Sequence, residues 1–231
     1  DELAAAVGGR DGRDFLERSR ERDPARLRAA IRGAHCWACC RHDGSYPARL
    51  LDLGDVPAVL FGRGRGRLLA ELGRRTTVTI VGSRRPSAYG RELAESLGRQ
   101  LAAAGVVVVS GMALGIDSRA HAGALAVEGG RTVAVLGGGA EVATPASRGR
   151  LYDRIVDRGL VLSELPPGTT PRRWTFPARN RIMAALSSMT VVVEARHRSG
   201  SLITAGMASS LGREVGAVPG QVGSSSAAGT N

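Results

Sequence analysis

Arginine is the residue type best placed to do chemistry in this chain. Arg84 follows Val81-Gly82-Ser83 at the end of an apolar run, where a guanidinium can grip two oxygens of one phosphate in a fixed direction. Gly82 and Ser83 beside it would let a polyanion approach the backbone closely. Arg85 precedes Pro86 and is expected to face water. Arg173, Phe176, Arg179, Asn180 and Arg181 form a second group on the approach to a helix. Arg173 and Phe176 are three apart and could share a side, so a base stacked on Phe176, worth ~1–3 kcal/mol, would lie beside a phosphate held by Arg173. Core packing is the competing role for Phe176. Arg179 and Arg181 are two apart, a spacing that points side chains away from each other on a helix. Both cannot meet one phosphate, and one is expected to brace the interior through Glu164 or Glu194.

Asp117 and His121, four apart on one helix, and Ser110 supply the residue types of a hydrolytic triad, but a triad needs a nucleophile–base contact. Ser199, Ser201 and Thr204 suit the capping of a helix, with hydroxyls that could also reach sugar or phosphate. Cys36, Cys39 and Cys40 cluster with His35 and His42. A zinc site drawn from them lacks a second ligand pair at a distance, so reduced thiols are the favoured reading. Neither metal nor cofactor is expected.

All 32 basic residues are arginine, against 21 acids, for a net charge of +11. The absence of lysine excludes the P-loop lysine, a pyridoxal Schiff base and the kinase strand lysine; codon bias explains it more simply than function does. The excess charge is spread, +4 over residues 1–75 (15 Arg against 11 acids) and +7 over 76–231 (17 against 10). It suggests a polyanionic partner, and with 3% aromatics nucleic acid is favoured over membrane. No apolar run approaches the ~18 residues of a membrane span, and no signal peptide opens the chain, so a cytoplasmic location is expected. Length fits one domain plus a smaller appendage. Asp1 in place of an initiator methionine suggests a fragment.

The elements that position these residues follow from periodicity. Residues 1–45 read as short helices, with Asp23-Pro24 a start signal and Gly33 a stop. Val56–Phe61 reads as an edge strand that tolerates Pro57, and Gly62–Arg67 as a charged turn. From Thr77 onward, apolar runs at Val78–Val81, Val106–Val109, Thr132–Leu136, Leu160–Leu162, Thr190–Val193 and Val215–Val218 suit strands buried on both faces. Helical stripes alternate with them: Leu93, Leu97 and Leu101 line the first, and Ile116, Ala120, Ala124 and Val127 the next. The expected fold is α/β, a doubly wound, mainly parallel sheet over residues 46–231 behind a small helical segment. Ligands bind such sheets beyond the strands' carboxyl ends. There lie Gly82-Ser83-Arg84, Ser110-Gly111, Gly137-Gly138-Gly139, Ser163-Glu164, Glu194 and Ser199-Gly200-Ser201. Val142 stands where the third glycine of G-x-G-x-x-G belongs, so the dinucleotide fingerprint fails, and no Walker A motif exists.

Val81-Gly82-Ser83-Arg84 with Tyr89-Gly90 resembles the opening motif of the DNA-processing protein A family (DprA, also called Smf). The likeness continues through Ser110–Asp117 with Ala120-His121, then Phe176–Ile182, Glu194-Ala195, Ser199–Ala205 and Val218-Pro219-Gly220, in the family's order. It implies an extended Rossmann-like domain that binds single-stranded DNA and loads the RecA recombinase onto it in natural transformation, without catalytic turnover. It also implies that Asp117 starts a helix and His121 is a structural hydrogen-bond partner. Ser110, Glu164, Glu194 and Thr204 would then support a site made of Gly82, Ser83, Arg84, Gly111, Arg173, Phe176, Arg179, Asn180, Arg181, Ser199 and Gly200. Three features depart from the family. Thr144-Pro145, with Arg148 after it, replaces the usual Tyr-Pro and asparagine. Arginine stands where relatives carry lysine, which alters hydration and geometry. The chain stops at Asn231, where relatives continue into a helix associated with self-association, so a homodimer is less secure. The competing class is an enzyme, a nucleoside monophosphate phosphoribohydrolase using Glu164, Glu194 or Asp117, but its Pro-Gly-Gly-x-Gly-Thr motif is absent.

Overall fold

The computed structural model describes residues 23–231; the helical expectation for residues 1–22 lies outside them. Helix α1 (Pro24–Gly33) starts as its sequence predicts. The Asp23 carboxylate accepts from the Ala25 amide at 2.8 Å, and Pro24 opens the first turn. The helical reading fails after it. Trp37–Cys40 is strand β1, antiparallel to β2 (Val59–Gly64), so the sheet reaches back ahead of the boundary expected at residue 46. β2 is consequently an inner strand and not an edge. Gly62 makes this pairing possible, because a Cβ there would overlap the Trp37 indole. β2 also takes up the start of the expected charged turn, which ends in the short helix α2 (Arg67–Glu71). Arg63 donates to the Glu141 carbonyl at 3.2 Å and the Tyr152 hydroxyl at 3.3 Å; it braces the fold.

The remaining strands are β3 (Thr77–Val81), β4 (Val107–Ser110), β5 (Thr132–Val135), β6 (Leu160–Ser163), β7 (Met189–Val192) and β8 (Glu214–Ala217). They run parallel in the order β6-β5-β4-β3-β7-β8, with β2 and then β1 added antiparallel beyond β6. This is the doubly wound, extended Rossmann-like sheet that the apolar runs predict. Alternate residues of each buried strand feed opposite layers. Val107, Val109, Val133, Val135, Leu160 and Leu162 pack with α6 (Thr175–Leu186) and α7 (Gly200–Ser210). On the other face Val78, Ile80 and Val108 meet α3 (Ala88–Ala103) and α4 (Ile116–Ala124), while Ala134 and Val161 meet α5 (Gly149–Arg158).

The inner row of α3 is Gly90, Ala94, Gly98 and Ala102; the leucines at 93, 97 and 101 flank it, only partly buried. Small residues are needed because α4 lies so close: a Cβ at Gly98 would overlap the Ala120 carbonyl oxygen, and one at Gly123 the Glu95 carbonyl oxygen. The three cysteines are free thiols, and burial raises the pKa of Cys36 and Cys39. Among the described residues no group of three His, Cys, Asp or Glu could hold a metal ion, and no helix is long and apolar enough to cross a membrane.

Gly123→Ala therefore has backbone in its way and should cost about 1–3 kcal/mol in urea unfolding. Gly206→Ala, exposed in α7 with open space around it, should instead gain roughly 0.5–1 kcal/mol.

Candidate nucleic-acid interface

β3 lies between β4 and β7. The chain leaves β3 through α3 toward β4, and returns to β7 from β6 through α6 on the opposite face. The winding direction thus reverses between β3 and β7, and a crevice opens at their carboxyl ends. It holds a cleft of ≈ 240 Å³. Gly82, Arg84, Phe176, Arg179, Asn180, Ser199 and Gly200 all line it, as do Asp117 and Thr204 from the supporting set. Pro177, Ser201 and Ile203 join them. The hydroxyl of Ser201 was legible as a helix-start group; Ile203 carries no signal beyond its place three residues after Gly200.

The rim is fixed by backbone. The Ser83 amide donates to the Glu194 carbonyl at 2.7 Å, and the Ser83 carbonyl accepts from the Ile116 amide at 3.1 Å. This ties the end of β3 to β7 and to α4. Ser83 is thus outside the lining and its amide is taken, contrary to the open backbone expected there. Gly82 is required by packing, since a Cβ would press on Ile116. The Glu194 carboxylate accepts from the Ser87 amide and hydroxyl at 3.1 Å, at the start of α3, which anchors that helix to the end of β7.

The four candidate arginines part company. Arg179 is 6% exposed. One terminal nitrogen donates to the Gly111 carbonyl at 2.6 Å and to the Val135 carbonyl, and Nε donates to Asn180 Oδ1 at 3.2 Å. Burial, with the charge of Arg84 adding to it, lowers its pKa to about 10 against the opposing pull of Asp117, so it stays cationic at neutral pH. Gly111 lies outside the lining because this guanidinium occupies the place a Cβ would take. Arg181 is withdrawn altogether. It pairs with both oxygens of Glu164 and with Asp55 at 2.8 Å; this is the brace expected of one member of the pair. Arg173 is exposed ahead of α6, outside the lining. Arg84 is exposed at the lip, 5.7 Å from the centroid of the Phe176 ring, and forms no salt bridge among the described residues.

The triad residues do not meet. Ser110 Oγ donates to the Ile80 carbonyl at 2.6 Å. Asp117 accepts from the Gly111 and Ala113 amides at 3.2 and 3.3 Å, and burial raises its pKa. His121 Nδ1 lies 2.7 Å from the Thr132 hydroxyl. That hydroxyl donates to the Val108 carbonyl, so Nδ1 carries the proton, and buried Nε2 has no partner. Burial, then the charge of Arg179, lowers the His121 pKa to about 3. Ser199 caps α7, its hydroxyl accepting from the Ser201 amide, and the amino end of that helix lines the cleft through Ser199, Gly200 and Ser201. Arg148 lines a separate cleft of ≈ 700 Å³ between α4 and α5, together with Arg119, Arg150 and Arg154.

A family model for DNA recombination-mediator protein A matches residues 37–231. The chain belongs to that family. It is 44% identical over 177 residues to DNA processing protein DprA of Bacillus subtilis (strain 168), covering 77% of this chain. It spans about half the length of the curated relatives it matches, 58, 44 and 46% for three of them. The X-ray structure of DprA from Streptococcus pneumoniae superposes with a TM-score of 0.89 at 38% identity, covering 99% of this chain and 78% of that one. DNA processing protein A from Helicobacter pylori, whose structure is described for its single-stranded DNA binding mode, superposes at 0.75 with 29% identity, covering 84% and 86%. In this DprA family fold, the motif residues thus gather at the switch point, with Ser83, Gly111, Arg173 and Arg181 outside the cleft lining.

Arg179→Ala strands two buried carbonyls, at about 1–3 kcal/mol each in unfolding, whereas Arg84→Ala should stay within about 0.5 kcal/mol. His121 remains neutral in the folded chain and protonates near 6.5 when unfolded. Its contribution is complete above pH 6.5 and falls by about 1.4 kcal/mol per pH unit toward pH 3. Asp117, with its pKa raised, acts in the opposite sense. Unfolding of wild type against His121→Gln across this range should isolate the histidine slope.

Proposed function

We propose that the cleft holds the phosphate backbone of single-stranded DNA and that the chain acts as a recombination mediator, delivering the strand to RecA. The observation that carries this reading is Arg84: an exposed cation without an acidic partner among the described residues, poised over the Phe176 ring in the cleft that the amino end of α7 also lines. Arg84 and the buried Arg179 repel each other. An anion between lip and floor would relieve that repulsion, and helix amino ends favour anions as well. Phe176 offers a ring for a base, although Gly137 packs on its edge and one face already carries Arg84. In this assignment Arg84, Phe176, Asn180, Ser199 and Gly200 meet DNA, while Gly82, Ser83, Gly111, Arg179 and Arg181 shape the site. Arg173 contacts the strand outside the cleft.

Membership in the DNA recombination-mediator protein A family and the Helicobacter pylori structure support the ligand class. The arginine-lined cleft between α4 and α5 is a second positive surface that supports a polyanionic partner. Handover to RecA, a homodimer, a cytoplasmic setting and service in natural transformation belong to the same proposal. We favour binding over turnover: Glu164 is paired with Arg181, Glu194 with Ser87, and Asp117 with two amides, so none is poised as a general acid or base.

Anisotropy titrations over a range of salt should show single-strand affinity falling with salt and exceeding duplex affinity. Arg84→Ala should weaken binding to every sequence alike and shrink the salt slope by about 0.7 for the one lost phosphate contact. Unchanged affinity and slope would remove Arg84 from the interface.

A further inference from the structure

We infer that Trp174 is a stacking platform for a nucleobase of the strand whose phosphates sit in the first cleft; this rests on the reading of that cleft as a single-strand site. Trp174 stands 61% exposed immediately before α6, and the two residues preceding it, Arg172 and Arg173, are also exposed cations. A lone surface indole needs no explanation, but this one is presented by a fixed backbone. Thr175 is buried, its hydroxyl donating to the Arg172 carbonyl at 2.8 Å and accepting from the Arg172 amide at 3.1 Å. The turn packs on Gly137, where a Cβ would press on Thr175 and Phe176 at once. The loop is therefore held without help from the indole.

The indole forms one wall of a slot of ≈ 190 Å³, bounded by Gly137, Leu165 and the Arg181–Glu164–Asp55 ion pairs. Arg179 lines both this slot and the first cleft, so the two are neighbours across the first turns of α6. Their chemistry differs. The first cleft has an unneutralised cation at its lip and attracts phosphate. The slot sets the carboxylates of Asp55 and Glu164 against the guanidiniums of Arg181 and Arg179, so its charges balance and leave no free cation for a phosphate; a flat, uncharged base is the part of a nucleotide that fits. Arg172 and Arg173 supply cations for the phosphates on either side. A strand lying across the start of α6 would then place phosphate at Arg84 and a base on Trp174, with Phe176 between them.

The chain has two tryptophans, and Trp37 is packed against Gly62. Emission of wild type minus that of Trp174→Phe therefore reports the exposed indole alone. Titration with single-stranded oligonucleotides should quench this difference signal saturably, and duplex should not. Trp174→Ala should lose roughly five- to a hundred-fold in affinity, with Trp174→Phe within a few-fold of wild type and melting temperatures unchanged. Full affinity in Trp174→Ala, or binding without quenching, overturns the platform while leaving the first cleft intact, since Arg84→Ala would still weaken binding. An affinity loss matched by a lower melting temperature in both variants marks a structural tryptophan and also overturns it. If wild type binds no single strand, the reading of the first cleft fails and the platform with it.

Discussion

The carboxyl edge of the sheet is organised by a buried guanidinium. Arg179 reaches from α6 across the ends of two adjacent strands and is held by the carbonyls of Gly111, just past β4, and Val135 at the end of β5. Burying such a charge is unfavourable unless its donors are satisfied, and here the acceptors are backbone oxygens that the ends of parallel strands leave available. The arrangement requires Gly111, whose missing Cβ is the space the guanidinium fills. It also sets the electrostatics of its surroundings: the same charge opposes the rise in the Asp117 pKa, disfavours protonation of His121, and is itself disfavoured by Arg84. Changing Arg179 would loosen the strand ends and alter the titration of Asp117 and His121.

Two arginines separated by a single residue thus have unlike fates for a geometric reason. Helical twist sends Arg179 inward to carbonyls and Arg181 sideways to Glu164 and Asp55. Because both are satisfied internally, neither can follow a ligand. Arg84, on a loop and not a helix, has no such partner and keeps its side-chain freedom. Buried charge lies at the floor and exposed charge at the lip; in the proposed function the floor provides field while the lip provides contact.

The central sheet was legible because its strands are continuous runs of β-branched and apolar residues, a pattern that burial on both faces produces. β1 was not. Trp37-Ala38-Cys39-Cys40 has no β-branched residue, and its place in the sheet depends on a glycine, Gly62, twenty-two residues beyond its end. Helix α3 misled in another way: its leucines suggested the inward stripe, whereas close approach of α4 selects glycine and alanine for the inner row. At the site, motif spacing located the cleft through Arg84, Phe176, Asn180, Ser199 and Gly200. It did not reveal which polar groups were already occupied. Ser83 reads as an open amide until β7 is seen to take it, and Arg181 reads as a phosphate ligand until Asp55, 126 residues away, is seen beside it. Occupancy depends on long-range contacts, which periodicity does not encode.

The all-arginine composition is consistent with this division of labour. A lysine at position 179 would bring a compact, strongly hydrated ammonium to a site whose acceptors lie at the ends of two different strands and on Asn180. A planar guanidinium spans those acceptors with fixed donor directions and sheds water more readily. At position 84 the planar group can also lie over an aromatic ring, as it does on Phe176, and still present nitrogen donors at its edge. A ligand phosphate can therefore approach without first breaking an ion pair. The lip cation is held by a weak, solvent-tolerant ring contact, worth about 0.5–1 kcal/mol at exposed sites. That is enough to bias its position while leaving its charge available.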